Sequence, residues 1–205
     1  MNNMNVNEYN QKKQHILEAA IIKFTENGFD KTSLREIASA AGLTTGAIYH
    51  HFKNKDELFY HAVKEAMCFA QKLSEKDENS NLKSAEDMLD EISNKVKERM
   101  SKINEQRLLV LLIGYVLSKG GALNESLKQD YNEIISKVAD MYFFAFGIEN
   151  EYYKKSLASI LIAALDGVAM QYSLGVLKQE DQKFKDIFVN FFIESIPAFM
   201  QKYKP

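Results

Sequence analysis

Between residues 33 and 57 the sequence reads SLREIASAAGLTTGAIYHHFKNKDE, which holds two helix-start signals with Gly42 between them. Ser33 followed by Glu36, and Asn54 followed by Glu57, each have the spacing of a capping box, in which side chains satisfy the free N–H groups of a first helical turn. After the first signal, Leu34, Ile37, Ala38 and Ala41 share one helical face. Gly42 supplies a stop, and Leu43 anchors the turn that follows. Only a short helix, ending at His51 or Phe52, fits before the next start at Asn54, from which a further helix is expected to run to about Leu73. Upstream, Ile16, Leu17, Ala20, Ile21 and Phe24 line one face of a helix from Gln11 to Asn27, closed by Gly28. The Asn-rich residues 1–9 have little to bury and are expected to be disordered. These spacings predict a helix-turn-helix arrangement with Ala38 at the helix crossing and Ile37, Leu43 and Ile48 as its small core.

The segment TTGAIYHHFKNK, residues 44–55, carries the chemistry. Stepping 100° per residue from Thr45 brings Ile48 and Phe52 together at roughly 300–340°, the side to be buried. Gly46, Ala47 and His50 lie opposite, and Tyr49 and His51 stand on the two flanks. Small residues on a leading face let a backbone approach base edges in a DNA major groove, while polar rings on its flanks reach the two phosphate walls. Lys55 falls in a first helical turn, where a cation opposes the helix dipole; a phosphate there would suit both. Thr32 and Arg35, at the start of the preceding helix, are candidates for a neighbouring phosphate or base. A metal site fits poorly, because adjacent histidines on a helix diverge by about 100° and no partner four residues away completes a set.

The net charge of −2 is unevenly shared: residues 1–55 carry +2 and the remainder −4, which permits a phosphate-facing head on an acidic body. Two prolines in 205 residues favour long helices over a many-turned β fold. Cys68 is the only cysteine, so no internal disulfide can form and a reducing cytoplasm fits; a packed thiol is favoured over a redox sensor. The start of the chain shows no apolar leader, and the longest apolar run, Leu108–Leu117, is shorter than the ~20 residues of a membrane span. The expectation is therefore a cytoplasmic protein without membrane contact. No nucleophile–base pair, metal set or phosphate loop points to an enzyme, and no cofactor is implied.

Beyond the polar stretch SEKDENSNLKSA, residues 74–85, helical spacing recurs at about 84–101, 105–118, 124–146, 151–175 and 182–201. The expected fold is all-α: a three-helix head over residues 1–56 joined to a larger helical bundle over residues 57–205. The last two segments are too apolar for a lone surface pair. Phe184, Phe188, Phe191 and Phe192 crowd one, and Leu157, Leu161 and Ala164 thicken the other, so both are expected to bury against a partner.

From Ile16 to Phe59 the sequence ILEAAIIKFTENGFDKTSLREIASAAGLTTGAIYHHFKNKDELF resembles the N-terminal domain of the TetR family of transcriptional regulators, above all in its A-G-x-x-x-G-x-x-Y-x-H-F-x-x-K pattern. The resemblance implies that Tyr49, His51 and Lys55 hold phosphates, with Thr32 and the backbone around Thr44. It implies that Thr45, Gly46 and His50 face bases, with Arg35 as a further reader and Ala47 against a thymine methyl. It also implies a small-molecule cavity in the body, for which Met88, Met100, Tyr115, Tyr142, Phe146, Asp166 and Met170 are candidates suited to an apolar, aromatic or acyl effector. For each of these residues plain core packing is the competing reading. Asp166 in LIAALDGVAMQY has two readings of equal weight, orienting a ligand or bonding within a helix interface. In the family the last two helices form a four-helix dimer interface, which implies a homodimer on a palindromic double-stranded DNA operator. The expected function is a ligand-responsive repressor. Its rivals are a DNA-binding regulator controlled by a protein partner, and a small-molecule-binding helical protein with a vestigial head.

Overall fold

The computed structural model describes residues 3–66, 85–178 and 180–202. Cys68, the predicted helix end at Leu73 and the 74–85 connector up to Ser84 lie outside the described residues, as does the Met88 side chain. The fold is all-α. The helices are α1 Asn3–Lys31, α2 Leu34–Ala40, α3 Thr45–Tyr49 and α4 Lys55–Ala66, then α5 Ala85–Ser101, α6 Ile103–Lys119, α7 Ala122–Phe146, α8 Glu151–Ser173 and α9 Gln182–Lys202. The chain divides into two compact units, Met1–Cys68 with Arg107–Gly120, and Phe69–Gln106 with Gly121–Pro205. A cut at residue 56 would part α4 from α1, against which it packs and buries Leu58, Phe59, Ala62 and Val63.

In the first unit α1 begins far earlier than its apolar stripe suggested. Residues from Asn3 are helical, against the expectation of disorder, because no glycine or proline interrupts them and Lys12 pairs with Glu8 one turn back at 2.7 Å. Gly28 does break the helix: at φ 76° and ψ 172° it adopts a conformation open to glycine alone. The buried Thr32 hydroxyl lies 2.8 Å from the Gly28 carbonyl oxygen and 3.0 Å from that of Lys23, satisfying acceptors that the break frees. Beyond it, Ser33 and Glu36 form the predicted capping box, with the Glu36 carboxyl held below the usual range by the Ser33 N–H. The second box is shifted. Asn54 Oδ1 accepts the Glu57 N–H at 2.8 Å, but the Glu57 carboxylate accepts the N–H of Lys53 at 2.6 Å, where a capping box would use that of Asn54.

Ile16, Ala20, Phe24, Ile37, Ala38, Ile48, Phe52 and Phe59 make the head core, each at most 2% exposed. Residues Arg107–Gly120 add Leu108, Leu109, Leu112 and Val116 to the apolar interior of this unit. There Tyr115 packs its ring 4.3 Å from that of Phe29 and donates its hydroxyl to Asp56 at 2.9 Å. Burial and this bond push the phenol up to about 12.

In the second unit α5 packs against α7, α8 and α9, while α7 and α8 lie against each other. Val96, Met100, Ile134, Val138, Tyr142, Ala158, Leu161, Ile162, Leu165 and Val189 are buried here. Helix α8 is long and apolar enough by composition to cross a membrane, but it also carries Lys154 and Asp166, and it buries Ala158, Leu161, Leu165 and Ala169 within the unit.

Within these apolar helices sits a polar knot. Arg99 donates to Asp166 at 3.1 Å, Tyr131 donates to the other carboxylate oxygen at 2.8 Å, and Gln106 Nε2 donates to the Arg99 carbonyl at 2.5 Å. Burial opposes charge on both Arg99 and Asp166 and is the larger effect, and their mutual attraction offsets it only in part. Further along, Lys185 donates to Ser101 Oγ at 2.8 Å and Lys97 pairs with Asp186 at 2.7 Å, both tying α9 to α5. Removing Asp166 takes the carboxylate away from a guanidinium that is largely buried. Asp166→Ala is expected to lower stability by about 3 kcal/mol, whereas the paired change Arg99→Met with Asp166→Leu loses much less. Urea denaturation of Asp166→Ala, of Arg99→Met and Asp166→Leu singly, and of the double variant measures this; additive losses in the two singles would show the pair to be uncoupled.

Candidate nucleic-acid interface

A five-residue helix has almost no intrinsic stability, so α3 is placed by what lies beneath and on either side of it. Gly42 takes φ 67°, and the Leu43 N–H returns to the Ala38 carbonyl at 2.8 Å, reversing the chain after α2. Thr44 then caps α3 by accepting the Ala47 N–H at 3.2 Å. Ile48 at 0% and Phe52 at 1% exposure form the underside, as the wheel requires. The opposite surface is open: Thr44, Gly46, Tyr49 and His50 are exposed, and Thr45 and Ala47 half-buried. Arg35 is exposed on α2 beside them. A Cβ on Gly46 would meet only Thr44 Oγ1, at an ordinary 3.7 Å. Among the described residues nothing crowds a side chain at this position.

The flanking groups differ from one another. The Tyr49 ring stands free at 57% exposure. His51 is half-buried: its ring lies 4.3 Å from that of Tyr9, and its Nδ1 is buried without a hydrogen-bond partner among the described residues. Burial, with repulsion from the nearby Lys13, His50 and Lys12 side chains, holds this imidazole below its ordinary range. Lys55, in the first turn of α4, rests its ammonium 4.3 Å above the Phe29 ring and 3.4 Å from the Asp30 carbonyl. Thr32 requires a correction. Its side chain is buried and committed to the carbonyls at the α1 break, so it has no hydroxyl to offer a phosphate.

Sequence reasoning missed Tyr9 by reading residues 1–9 as disordered, and it gave Lys12 and Lys13, within the predicted helix, no part in the site. The signal was present, since Tyr9, Lys13, Ile16, Ala20 and Phe24 recur at helical spacing along one face. Among the described residues no group of three or more His, Cys, Asp or Glu side chains is placed to hold a metal ion.

The residues proposed for a ligand pocket scatter. Tyr142 and Phe146 do line a cavity of about 20 Å³ in the second unit, together with Ile92, Val96, Val189 and Ile196. Leu161, Phe188 and Phe192, expected at a dimer interface, line the same cavity, and Leu161 is 5% exposed. Met170 is the reverse case: expected inside, it is 52% exposed, because its face of α8 is the one turned away from α7 and α5. Tyr115 belongs to the first unit and is held by Phe29 and Asp56. Asp166 is bonded by Arg99 and Tyr131, so of its two readings the structural one describes it. Met100 is core at 1% exposure. Phe191 is 63% exposed, and Leu157, Ala164 and Phe184 are half-buried.

Residues 16–62 match the tetR family of bacterial regulatory proteins. Over 52 residues the chain is 54% identical to the HTH-type transcriptional regulator AcrR of Shigella flexneri, a match covering 25% of this chain and 24% of that one. The match thus spans about a quarter of that relative's length. Solved structures extend the likeness in fold. A transcriptional regulator from a Rhodococcus species superposes with a TM-score of 0.62 at 20% identity, over 89% of this chain and 96% of its own. The fatty acid degradation regulator FadR from Bacillus halodurans gives 0.66 at 15% identity, over 87% and 96%. Residues 16–62 thus carry the helix-turn-helix segment of the tetR family of bacterial regulatory proteins, and the chain as a whole shares the fold of these solved structures.

Proposed function

We propose that this protein is a cytoplasmic repressor that binds a palindromic DNA operator as a homodimer and releases it on binding a small apolar or aromatic effector. The observation that carries the DNA reading is the bare ridge of α3, with Gly46 and His50 outward between Tyr49 and His51, over a buried Ile48 and Phe52. Two heads related by a dyad would present two such ridges to successive half-sites. Arg35, Thr45, Gly46, Ala47 and His50 face the groove, and Tyr49, His51, Lys55 and the backbone at Thr44 meet phosphates.

The dimer is supported by an unburied apolar stripe. Along α8, Tyr152, Ile160 and Met170 are 78, 57 and 52% exposed, Leu174 just past its end is 71% exposed, and on α9 Ile187 and Phe191 are 59 and 63% exposed. Their spacing keeps the α8 residues on one side of the helix, and a surface this apolar fits a second copy of the same face.

The effector is supported by the apolar lining of the cavity around Tyr142, Phe146 and Phe192. A volume of about 20 Å³ holds little more than one water, so an effector would have to part α5 and α9 to enter. That small volume also favours a second reading, in which a protein partner rather than a small molecule controls release.

Three measurements follow. Lys55→Ala should weaken binding to any duplex and lower the salt slope, log K against log [salt], by about 0.9 per head; an unchanged slope would remove Lys55 from the phosphate set. Ile160→Glu with Phe191→Glu should yield a folded monomer in sedimentation, while a dimer that persists would move the interface elsewhere. A panel of uncharged aromatic and acyl compounds should contain members that raise the melting temperature and release DNA. If none does either, the partner-controlled reading stands in its place.

A further inference from the structure

The contact between Tyr9 and His51 joins a residue outside the family-matched segment to one of the groups proposed to hold phosphate. The two rings lie 4.3 Å apart at an interplanar angle of 41°, and Tyr9 remains 49% exposed. On the same ring Nδ1 is buried and has no hydrogen-bond partner among the described residues, so Nε2 is the nitrogen left for an outside group. A hydrogen on Nδ1 would be a buried donor with nothing to accept it, which costs free energy in the neutral ring and in the imidazolium alike. The charged groups facing the ring are Lys12 and Lys13 from α1 and His50 from its own turn, all of one sign when charged, although Lys12 is engaged by Glu8. Burial and those cations act in the same direction, against a positive ring.

We infer that Tyr9 is a positioning residue which fixes His51 as a neutral imidazole with its hydrogen on Nε2, donated to a phosphate of the DNA backbone. This rests on the DNA-binding reading above. It divides the phosphate contacts into two kinds. Lys55 attracts through charge and displaces counterions, whereas His51 supplies one directed hydrogen bond and displaces none. It also gives the helical start of α1 a purpose, since without residues before Gln11 the His51 ring would lose its cover.

Nitrogen NMR of the full-length protein reads the ring directly. At neutral pH the wild type and Tyr9→Phe should show a neutral His51 with hydrogen on Nε2 and none on Nδ1, and Tyr9→Ala should titrate closer to an ordinary histidine, near 6.5. An arbitrary duplex of about thirty base pairs serves as the binding probe, because backbone contacts do not depend on sequence. Tyr9→Ala should bind it roughly five-fold more weakly per head with an unchanged salt slope, and Tyr9→Phe should bind like the wild type. A His51 protonated on both nitrogens at neutral pH, or a Tyr9→Ala protein that binds as tightly as the wild type, overturns the inference. Lys55→Ala in the same assay separates the two readings. If it weakens binding while Tyr9→Ala does not, the role of Tyr9 falls and the DNA reading stands; a wild type that binds no duplex removes both.

Discussion

The burial of Ile48 and Phe52 beneath α3 is the constraint on which the proposed DNA-binding surface depends. A five-residue helix fixes most of its backbone at a cost that its few hydrogen bonds do not recover. Each of the two fully buried side chains contributes about 2 kcal/mol by leaving water, and together they hold the segment in place. Once that underside is fixed, the helical step dictates the rest: Gly46, Ala47 and His50 must face outward, with Tyr49 and His51 on either side. Rigidity of the head core thus becomes geometric definition at the surface, which is what groove recognition requires.

The body solves a different problem. Its helices are apolar on more faces than one layer of packing can cover, and the structure divides those faces between an interior with a small cavity and an exterior stripe on α8 and α9. Arg99, Asp166 and Tyr131 add a directional element to this greasy interior, since a hydrogen-bonded pair admits fewer registers than interchangeable methyl groups do.

Much of this was legible in the sequence because the signals were local. The Ser33–Glu36 cap, the turn at Gly42 and the 3.6-residue spacing of Ile48 and Phe52 each act within a few residues, and the corresponding helices stand where the pattern put them. The body helices were likewise placed to within a few residues by their apolar spacing. What failed depended on partners distant in sequence. Leu161 and Met170 are both large apolar residues of α8, and only the position of α5 and α7 decides which is core and which is exposed. Tyr115 resembled a pocket aromatic until Phe29 and Asp56, more than fifty residues upstream, were seen to hold it. Thr32 was misread because a hydroxyl at a helix start serves a ligand or the chain's own carbonyls equally well, and the break at Gly28 settled the matter. Tyr9 was overlooked because polar neighbours masked its place on the α1 stripe.

The central claim is that the ridge of α3 reads DNA, and two copies read it as a pair. Selection of duplexes by the full-length protein from a random pool, followed by sequencing of the retained fraction, tests this most directly. Enrichment of two inverted half-sites at a fixed spacing is the expected result. A retained pool with no sequence enriched over the input would contradict it.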